Sequence, residues 1–210
     1  MRKTLEGSPA RVRKRPVDKF EDRRMQLADA ALETLAEQGY ARTGLRDIAE
    51  RSDFTHGALH YYFHNKAELI TYCVRRYKDR CIAQYDGLGL GSETAQEVLE
   101  SFSGAVVSTM IEEAHMQRLW YDIRSQAMFE SALAMDVAEL DQNIQDVIFR
   151  VVVRYSELSE REPTLNSALT YALFDGLFMH AVMNHLAGKS SESDVRLGIE
   201  HLLDSVTRPI

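Results

Sequence analysis

Cysteine, proline and glycine are scarce in this chain, and their scarcity limits the classes of protein it can belong to. The 210 residues include 2 Cys, 4 Pro and 11 Gly. Cys73 and Cys81 fall eight positions apart in one predicted helix. That spacing separates them by about 12 Å at 1.5 Å per residue, which is too far for a disulfide. We therefore expect two free thiols in a reducing compartment.

Long apolar runs are absent as well. No run approaches the roughly 18 residues that a membrane-spanning helix needs. The N-terminal residues are basic and polar, without the apolar segment of a signal peptide. We expect a cytoplasmic protein with no membrane partner. Apolar residues still make up 45% of the chain, enough for a globular core.

Charge is distributed unevenly along the chain. The formal net charge is −7, yet residues 1–80 hold 17 Lys and Arg against 12 Asp and Glu. The remaining residues hold 8 basic against 20 acidic side chains. A basic N-terminal third joined to an acidic remainder predicts that the N-terminal end meets a polyanion. Uneven surface charge with no function is the alternative interpretation.

The apolar spacing follows a helical period, with few prolines or glycines to interrupt it, and no segment is typical of a strand. The sequence therefore predicts an all-α protein of about nine helices. The predicted helices cover 20–38, 44–52, 56–62, a longer segment after Asn65, and about 93–114, 116–129, 132–157, 163–187 and 192–207. The predicted divisions are a disordered basic arm over 1–19, a first helical domain over 20–66, a connecting helix and glycine-rich linker over 67–91, and a larger helical domain over 92–210.

The helices at 44–52 and 56–62 are joined by a three-residue turn and braced by the helix before them. This is a helix-turn-helix pattern, in which the second helix enters the major groove of DNA. We expect Thr43 and Thr55 to cap the two helices. Leu59 and Phe63 are expected to point inward. The residues left to face outward are His56, Gly57, Ala58, His60 and Tyr61.

The stretch TGLRDIAERSDFTHGALHYYFHNKAELI, residues 43–70, resembles the DNA-binding segment of the TetR family of transcriptional regulators. The likeness extends to Gly39-Tyr40 before it. ALFDGLF at 172–178 and RLWYDIRSQA at 118–127 resemble helices of the BetI-like branch of that family. The resemblance implies a three-helix helix-turn-helix domain followed by a larger helical domain that binds a ligand and dimerises.

The resemblance also implies which residues contact DNA. By the family pattern they are Thr43, Arg46, Thr55, His56, Gly57, Ala58, His60, Tyr61, Tyr62 and Lys66. Threonine hydroxyls and helix starts offer donors to phosphate, and Lys66 supplies a point charge. His56 and His60 depart from the commonest family residues, which leaves the base preference open. We expect one of Tyr61 and Tyr62 to be at least half buried, and His64 to be a turn residue.

Zinc binding, enzyme activity and the binding of protein alone are the alternatives to DNA binding. His56 and His60 have the four-residue spacing of a zinc motif, but position 57 is Gly where that motif has Glu, and no third ligand is evident. His180 and His185 lie on different faces of a helix, and no nucleophile has a recognisable partner. We therefore expect no enzyme activity, metal or cofactor. A helical scaffold that binds only protein is the remaining alternative.

The acidic part supplies side chains that could line a ligand site of the kind found inside TetR-like regulators. The candidates are Phe102, Val106, Met110, Trp120, Tyr121, Arg124, Met128, Phe149, Asp175 and Phe178. Trp120 has an alternative place in the core. Asp175 lies in an apolar helix and needs a partner, either Arg124 or a cationic ligand held with Trp120 and Tyr121.

The last two predicted helices offer more apolar surface than one chain readily buries. The helix at 163–187 is apolar around almost its whole circumference, with Ala168, Ala172 and Gly176 at four-residue spacing. The final helix carries a stripe of Val195, Ile199, Leu202 and Val206. We expect a homodimer through these two helices, and a bundle packed within one chain is the alternative interpretation. The resulting prediction is a repressor that binds a palindromic operator in double-stranded DNA and is released by an apolar or amphipathic ligand.

Overall fold

The computed structural model describes residues 16–88, 91–189 and 191–210. Within those ranges the chain forms nine helices and two short strands, which confirms the all-α fold class. The elements are α1 (Pro16–Gln38), α2 (Leu45–Glu50), α3 (His56–Tyr62), α4 (Lys66–Asp86), α5 (Ala95–Glu112), α6 (Ala114–Ala127), α7 (Ser131–Leu158), β1 (Arg161–Pro163), α8 (Ser167–Leu186), α9 (Glu192–Ser205) and β2 (Thr207–Pro209).

Helix α1 braces the two short helices that follow it. Its stripe of Leu27, Ala31 and Leu35 is fully buried. The helix stops at Gly39, whose φ of +81° is open to glycine and strained for other residues. It begins at Pro16, four residues earlier than predicted, because proline is well suited to the first helical position. The basic sequence at 11–15 lies outside the described residues.

The start of α2 differs from the prediction. Thr43 was expected to cap this helix, but the capping position is Gly44, whose N–H donates to the Asp47 carboxylate over 2.7 Å. The Thr43 side chain is buried, and its hydroxyl donates to the Gly39 carbonyl over 2.8 Å. Thr43 therefore ties the loop back to the end of α1. Thr55 caps α3 as predicted, accepting from the Ala58 N–H.

Helix α4 joins the first three helices, α1 to α3, to the larger group of helices α5 to α9. One core cluster combines residues of α1 to α4 with residues of α6 and α7, and a second fills the space between α5, α7, α8 and α9. Leu69, Ile70 and Cys73 of α4 are buried in the first cluster, while Tyr85 at its other end packs against the second. Cys73 and Cys81 are both free thiols, as predicted.

The structure also contains two short strands, although no segment of the sequence is typical of a strand. β1 and β2 pair antiparallel, with Arg161 opposite Pro209 and Pro163 opposite Thr207. Three-residue strands that contain proline lack the alternating apolar pattern by which strands are recognised. With these strands present, α8 starts at Ser167 and α9 ends at Ser205, both inside the predicted helix bounds.

We predict that Gly39→Ala lowers the free energy of unfolding by about 1–2 kcal/mol, because a β-carbon disfavours the left-handed backbone. That β-carbon would also approach the Asp122 carboxylate to 3.1 Å. Gly87→Ala is the matched control, since a β-carbon at Gly87 meets nothing within 4 Å and its φ is −84°. Urea denaturation of both variants measures the difference. Equal effects of the two substitutions would contradict the assignment of strain to Gly39.

Candidate DNA-binding surface and ligand cavity

Helix α3 buries one face and exposes the other. Leu59 on the helix and Phe63 just after it are fully buried, as predicted. His56, Gly57 and His60 are exposed, and Ala58 is partly exposed. The nearest atom to a β-carbon built on Gly57 would be the Thr55 hydroxyl oxygen at 4.0 Å. The outer face of α3 therefore presents two imidazoles beside small residues, which permit another molecule to approach the helix closely.

An aromatic cluster holds the end of α3 against α1. Tyr62 is partly buried, with its ring centroid 4.8 Å from that of Phe20. Tyr61 is 72% exposed and packs edge-on against Tyr62 at 4.9 Å. The prediction that one tyrosine of the pair is largely buried is confirmed. Tyr61 remains exposed, with its ring in contact with those of Phe20 and Tyr62.

The rings of His56 and His60 lie edge to face, with centroids 4.5 Å apart. Within the described ranges, no group of three His, Cys, Asp or Glu side chains is placed to hold a metal ion. His64 lies in the turn before α4, as predicted, with its Nδ1 2.8 Å from the Glu68 carboxylate. His56 and His60 therefore contact each other on the outer face of α3, whereas His64 contacts Glu68 in the turn after it.

Two residues that the resemblance assigned to DNA contact are committed to contacts inside the protein. The Lys66 ammonium donates to the Tyr40 carbonyl over 2.5 Å and lies 3.9 Å from the centre of the Tyr40 ring. Burial lowers the pKa of Lys66. The Thr43 hydroxyl is buried, so it is not presented to solvent as the prediction required. Arg46, by contrast, is exposed and pairs with Glu50 at 3.0 Å.

A cavity of about 740 Å³, counting the part that opens to solvent, lies among α4 to α9. Six of the ten predicted lining residues are in its wall: Phe102, Val106, Trp120, Tyr121, Asp175 and Phe178. Other wall residues include Lys78, Cys81, Ile82, Tyr85, Thr109, Gln117, Ile144, Val147, Ile148, Tyr171, Phe174, Leu177 and Ile199. Trp120 belongs both to this wall and to the first core cluster, so its two predicted places coincide.

Four predicted lining residues lie elsewhere. Met110 is fully buried in the second core cluster, and Met128 is exposed just after α6. Phe149 is partly buried on α7, outside the wall. Arg124 lies outside the wall and donates to Asp175, which is part of it. Helical spacing identified the right elements but could not show which side of each faces the cavity.

The contribution of α4 to the cavity was missed, because this helix was treated as a connection. Lys78, Cys81, Ile82 and Tyr85 line the wall. They occur at i, i+3, i+4 and i+7, the spacing of one helix face. That spacing was the signal available in the sequence.

Asp175 has the structural partner that was one of its two predicted alternatives. Arg124 donates to one Asp175 carboxylate oxygen over 2.8 Å, and the Tyr121 hydroxyl donates to the other over 3.0 Å. The second arm of the guanidinium lies 3.2 Å from Asp141, which also accepts from Tyr171 over 2.6 Å. Burial and the Asp175 charge raise the pKa of Tyr121. One guanidinium thus bridges two carboxylates behind the cavity wall.

Lys78 is the buried cation of the cavity. It is 4% exposed, and its ammonium donates to the Gln117 side-chain oxygen over 2.9 Å. The ammonium lies 4.7 Å from the centre of the Trp120 ring. Among the described side chains, no carboxylate oxygen lies within 4.0 Å of it. Burial lowers the pKa of Lys78 to about 8.

One side of α8 faces solvent although it is largely apolar. Its exposed residues include Ala168, Leu169, Ala172, Leu173, Gly176, Met179 and Met183. On α9, Leu197 is exposed, but Val195, Ile199 and Val206 are buried in the second core cluster. The α9 stripe therefore packs within the chain, and the uncovered apolar surface belongs mainly to α8. No helix within the described ranges is long and apolar enough to cross a membrane.

Comparison with known proteins places these features in a family. The model for bacterial regulatory proteins of the tetR family matches residues 27–73, which cover most of α1, all of α2 and α3, and the start of α4. The transcriptional regulator TtgR of Pseudomonas putida is 36% identical over 85 residues, 40% of this chain and 39% of TtgR. The chain thus aligns with about two fifths of that relative's length.

Longer alignments are weaker in identity. The transcriptional repressor KstR of Rhodococcus jostii is 27% identical over 199 residues, 90% of this chain and 86% of KstR. A TetR transcription regulator from Haloarcula marismortui has the same fold, with a TM-score of 0.73, 15% identity, and coverage of 90% of this chain and 100% of that one. Residues 27–73 thus match the DNA-binding segment of tetR-family regulators, and the chain has the fold of such a regulator.

Proposed function

We propose that this protein is a transcriptional repressor that binds a palindromic DNA operator as a homodimer and is released by an apolar or amphipathic small molecule. The observation that carries the proposal is the orientation of α3 within the family-matched segment. The helix is anchored by buried Leu59 and Phe63 and leaves His56 and His60 exposed on its outer face. The second helix of a helix-turn-helix enters the major groove by such a face.

The proposed contacts divide by their surroundings. The exposed or partly exposed group consists of Arg46, Thr55, His56, Gly57, Ala58, His60, Tyr61 and Tyr62. In the proposal these side chains and the start of α3 meet base edges and phosphates. Thr43 and Lys66 act indirectly, because their polar atoms bond to Gly39 and Tyr40 and hold the loop before α2.

The proposed dimer joins the exposed apolar faces of α8 from two chains. Gly176 lies within this face, and a β-carbon built on it would meet nothing within 4 Å. Small residues at four-residue spacing allow two helices to approach closely. A two-fold axis there would place two α3 helices about one DNA turn apart, roughly 34–36 Å, as a palindromic operator requires.

The cavity supports the proposed effector. Aromatic and aliphatic side chains form most of its wall, with polar groups concentrated near Lys78, Tyr121 and Asp175. Such a wall suits a molecule with a large apolar body. A cationic ligand is disfavoured, since both Asp175 oxygens already accept hydrogen bonds from the chain's own donors. Binding of DNA would place the protein's action in the cytoplasm.

We predict that His60→Ala weakens binding to the selected operator by about 1–3 kcal/mol and relaxes base preference at the contacted positions. The operator is first selected from genomic fragments, and fluorescence anisotropy then measures affinity at several salt concentrations. Wild-type affinity is expected to fall as salt rises, because phosphate contacts release counterions.

His64→Ala is the matched control, since this histidine side chain is 92% exposed but lies in the turn before α4. The control variant should retain wild-type affinity and preference. Equal losses of operator affinity in the His60→Ala and His64→Ala variants would remove the support for base contacts by the exposed face of α3. Affinity that does not respond to salt, or an absence of sequence preference in the wild type, would overturn the proposed function.

We predict that Leu173→Glu converts the dimer to a monomer and lowers operator affinity by at least about tenfold, because it places a charge in the α8 face. Leu173 is 44% exposed in the single chain. Met135→Glu on α7 is the control, since Met135 is 84% exposed and is not part of the α8 face. Sedimentation velocity at micromolar concentration gives the masses. A wild-type monomer, or a Leu173→Glu dimer, would contradict the proposed interface.

A further inference from the structure

Lys78 is a buried charge that forms no ion pair with any described side chain of the cavity wall. Its ammonium can donate three hydrogen bonds. One goes to Gln117, and the Trp120 ring offers a face to the charge. Neither partner carries a negative charge. The cavity wall therefore contains a cation that the described side chains solvate but do not neutralise.

The acidic side chains around Lys78 are already engaged. Asp175 and Asp141 share the Arg124 guanidinium, at 2.8 Å and 3.2 Å. Glu113 accepts from the Tyr77 hydroxyl. The nearby carboxylates are thus oriented toward other donors of the chain, and none forms an ion pair with the lysine.

Burial of an ammonium without an anionic partner is unfavourable, and the lowered pKa of Lys78 reflects it. An anionic group in the cavity would supply the missing charge and accept the free N–H donors. Charge-assisted hydrogen bonds of this kind are the stronger ones in proteins. The empty space beside Lys78 is therefore suited to an acidic group of a ligand.

The rest of the wall suits the body of such a ligand. Away from Lys78 it consists largely of apolar side chains: Phe102, Val106, Val147, Ile148, Phe174, Leu177 and Phe178. These side chains border a space that is partly open to solvent. The cavity thus combines one buried cation with a wide apolar surface.

We propose that the effector is an amphipathic carboxylate, whose carboxylate group pairs with the Lys78 ammonium while its hydrocarbon body lies against the apolar wall. The inference rests on the proposed ligand-binding function and specifies the chemical class of the ligand. A neutral alcohol of equal length would gain the apolar contacts but not the charge pairing. The difference between the two molecules isolates the contribution of Lys78.

The test compares decanoate with decan-1-ol on the full chain without DNA. Trp120 is the one tryptophan of the sequence and lies in the cavity wall beside Lys78, so its fluorescence reports binding. We expect decanoate to bind wild-type protein about 10- to 100-fold more tightly than decan-1-ol. Lys78→Met should abolish this preference and leave decan-1-ol binding largely intact.

Lys19→Met is the matched control, because it removes the same charge from an exposed position on α1. It should leave the preference unchanged. Equal affinity of wild-type protein for the two ligands would overturn the carboxylate inference while leaving a ligand-binding regulator in place. Failure of both ligands to bind would overturn the inference together with the proposed effector site. Thermal melts establish that each variant is folded.

A pH series on the wild-type protein tests the inference without any substitution. The charged and titratable groups around Lys78 are Tyr77 and Cys81 on α4, Arg124 and Tyr121 on α6, Asp141 on α7, and Asp175 and Tyr171 on α8. Burial raises the pKa of Cys81, Tyr121 and Tyr171, which moves these groups away from the neutral range. Lys78 is therefore the group expected to titrate near pH 8.

Decanoate binds the protonated lysine, so its affinity should fall as the pH rises from 7 through 8 to about 9.5, whereas decan-1-ol should show no such fall. The Lys78→Met variant should lose this pH dependence. A decanoate affinity that stays constant across the range in wild-type protein would overturn the pairing with Lys78.

Discussion

The packing of α4 against two cores is the constraint on which the rest of the structure depends. Near its start, Leu69 and Ile70 are buried with the helices that hold α3. Farther along, Lys78 and Tyr85 form part of the cavity wall. The helix has 21 residues and is about 30 Å long at 1.5 Å per residue. A small tilt of α4 about its middle therefore moves its two ends in opposite directions. The position of the exposed face of α3 is thus coupled through α4 to the shape of the cavity.

Buried polar groups limit how this packing can change. Arg124 bridges Asp141 and Asp175, and Arg118 donates to the Ala36 carbonyl at the end of α1 over 2.7 Å. Each bond satisfies a group that would otherwise be unfavourable to bury. Tyr40 is held in a similar way, since its N–H donates to the Asp122 carboxylate over 2.6 Å. Hydrogen bonds and ion pairs thus connect α6 both to the end of α1 and the loop after it and to the cavity wall. Such directional contacts favour a few discrete arrangements of these helices.

The sequence carried enough information for the fold class and the reading helix, because these depend on local patterns. The four-residue spacing of Leu59 and Phe63 determined which side of α3 is buried, and the Thr55 cap set where the helix begins. The polar contacts depend instead on which distant segments of the chain meet in the folded protein. The carbonyl that receives the Lys66 ammonium belongs to Tyr40, 26 positions earlier. No local pattern indicates such a pairing, and the same holds for the pairing of β1 with β2, which is set by the meeting of distant segments.

The glycine in the exposed face of α8 has a thermodynamic consequence for the single chain. Glycine inside a helix is less favourable than alanine by about 1 kcal/mol, and Gly176 has no neighbour in the chain that requires its small size. Helix α8, which also borders the cavity, is therefore less stable in the isolated protomer than it would be with alanine at this position. In the proposed dimer a second α8 would compensate for it, and mass action would then link the stability of each cavity to the concentration of the protein itself.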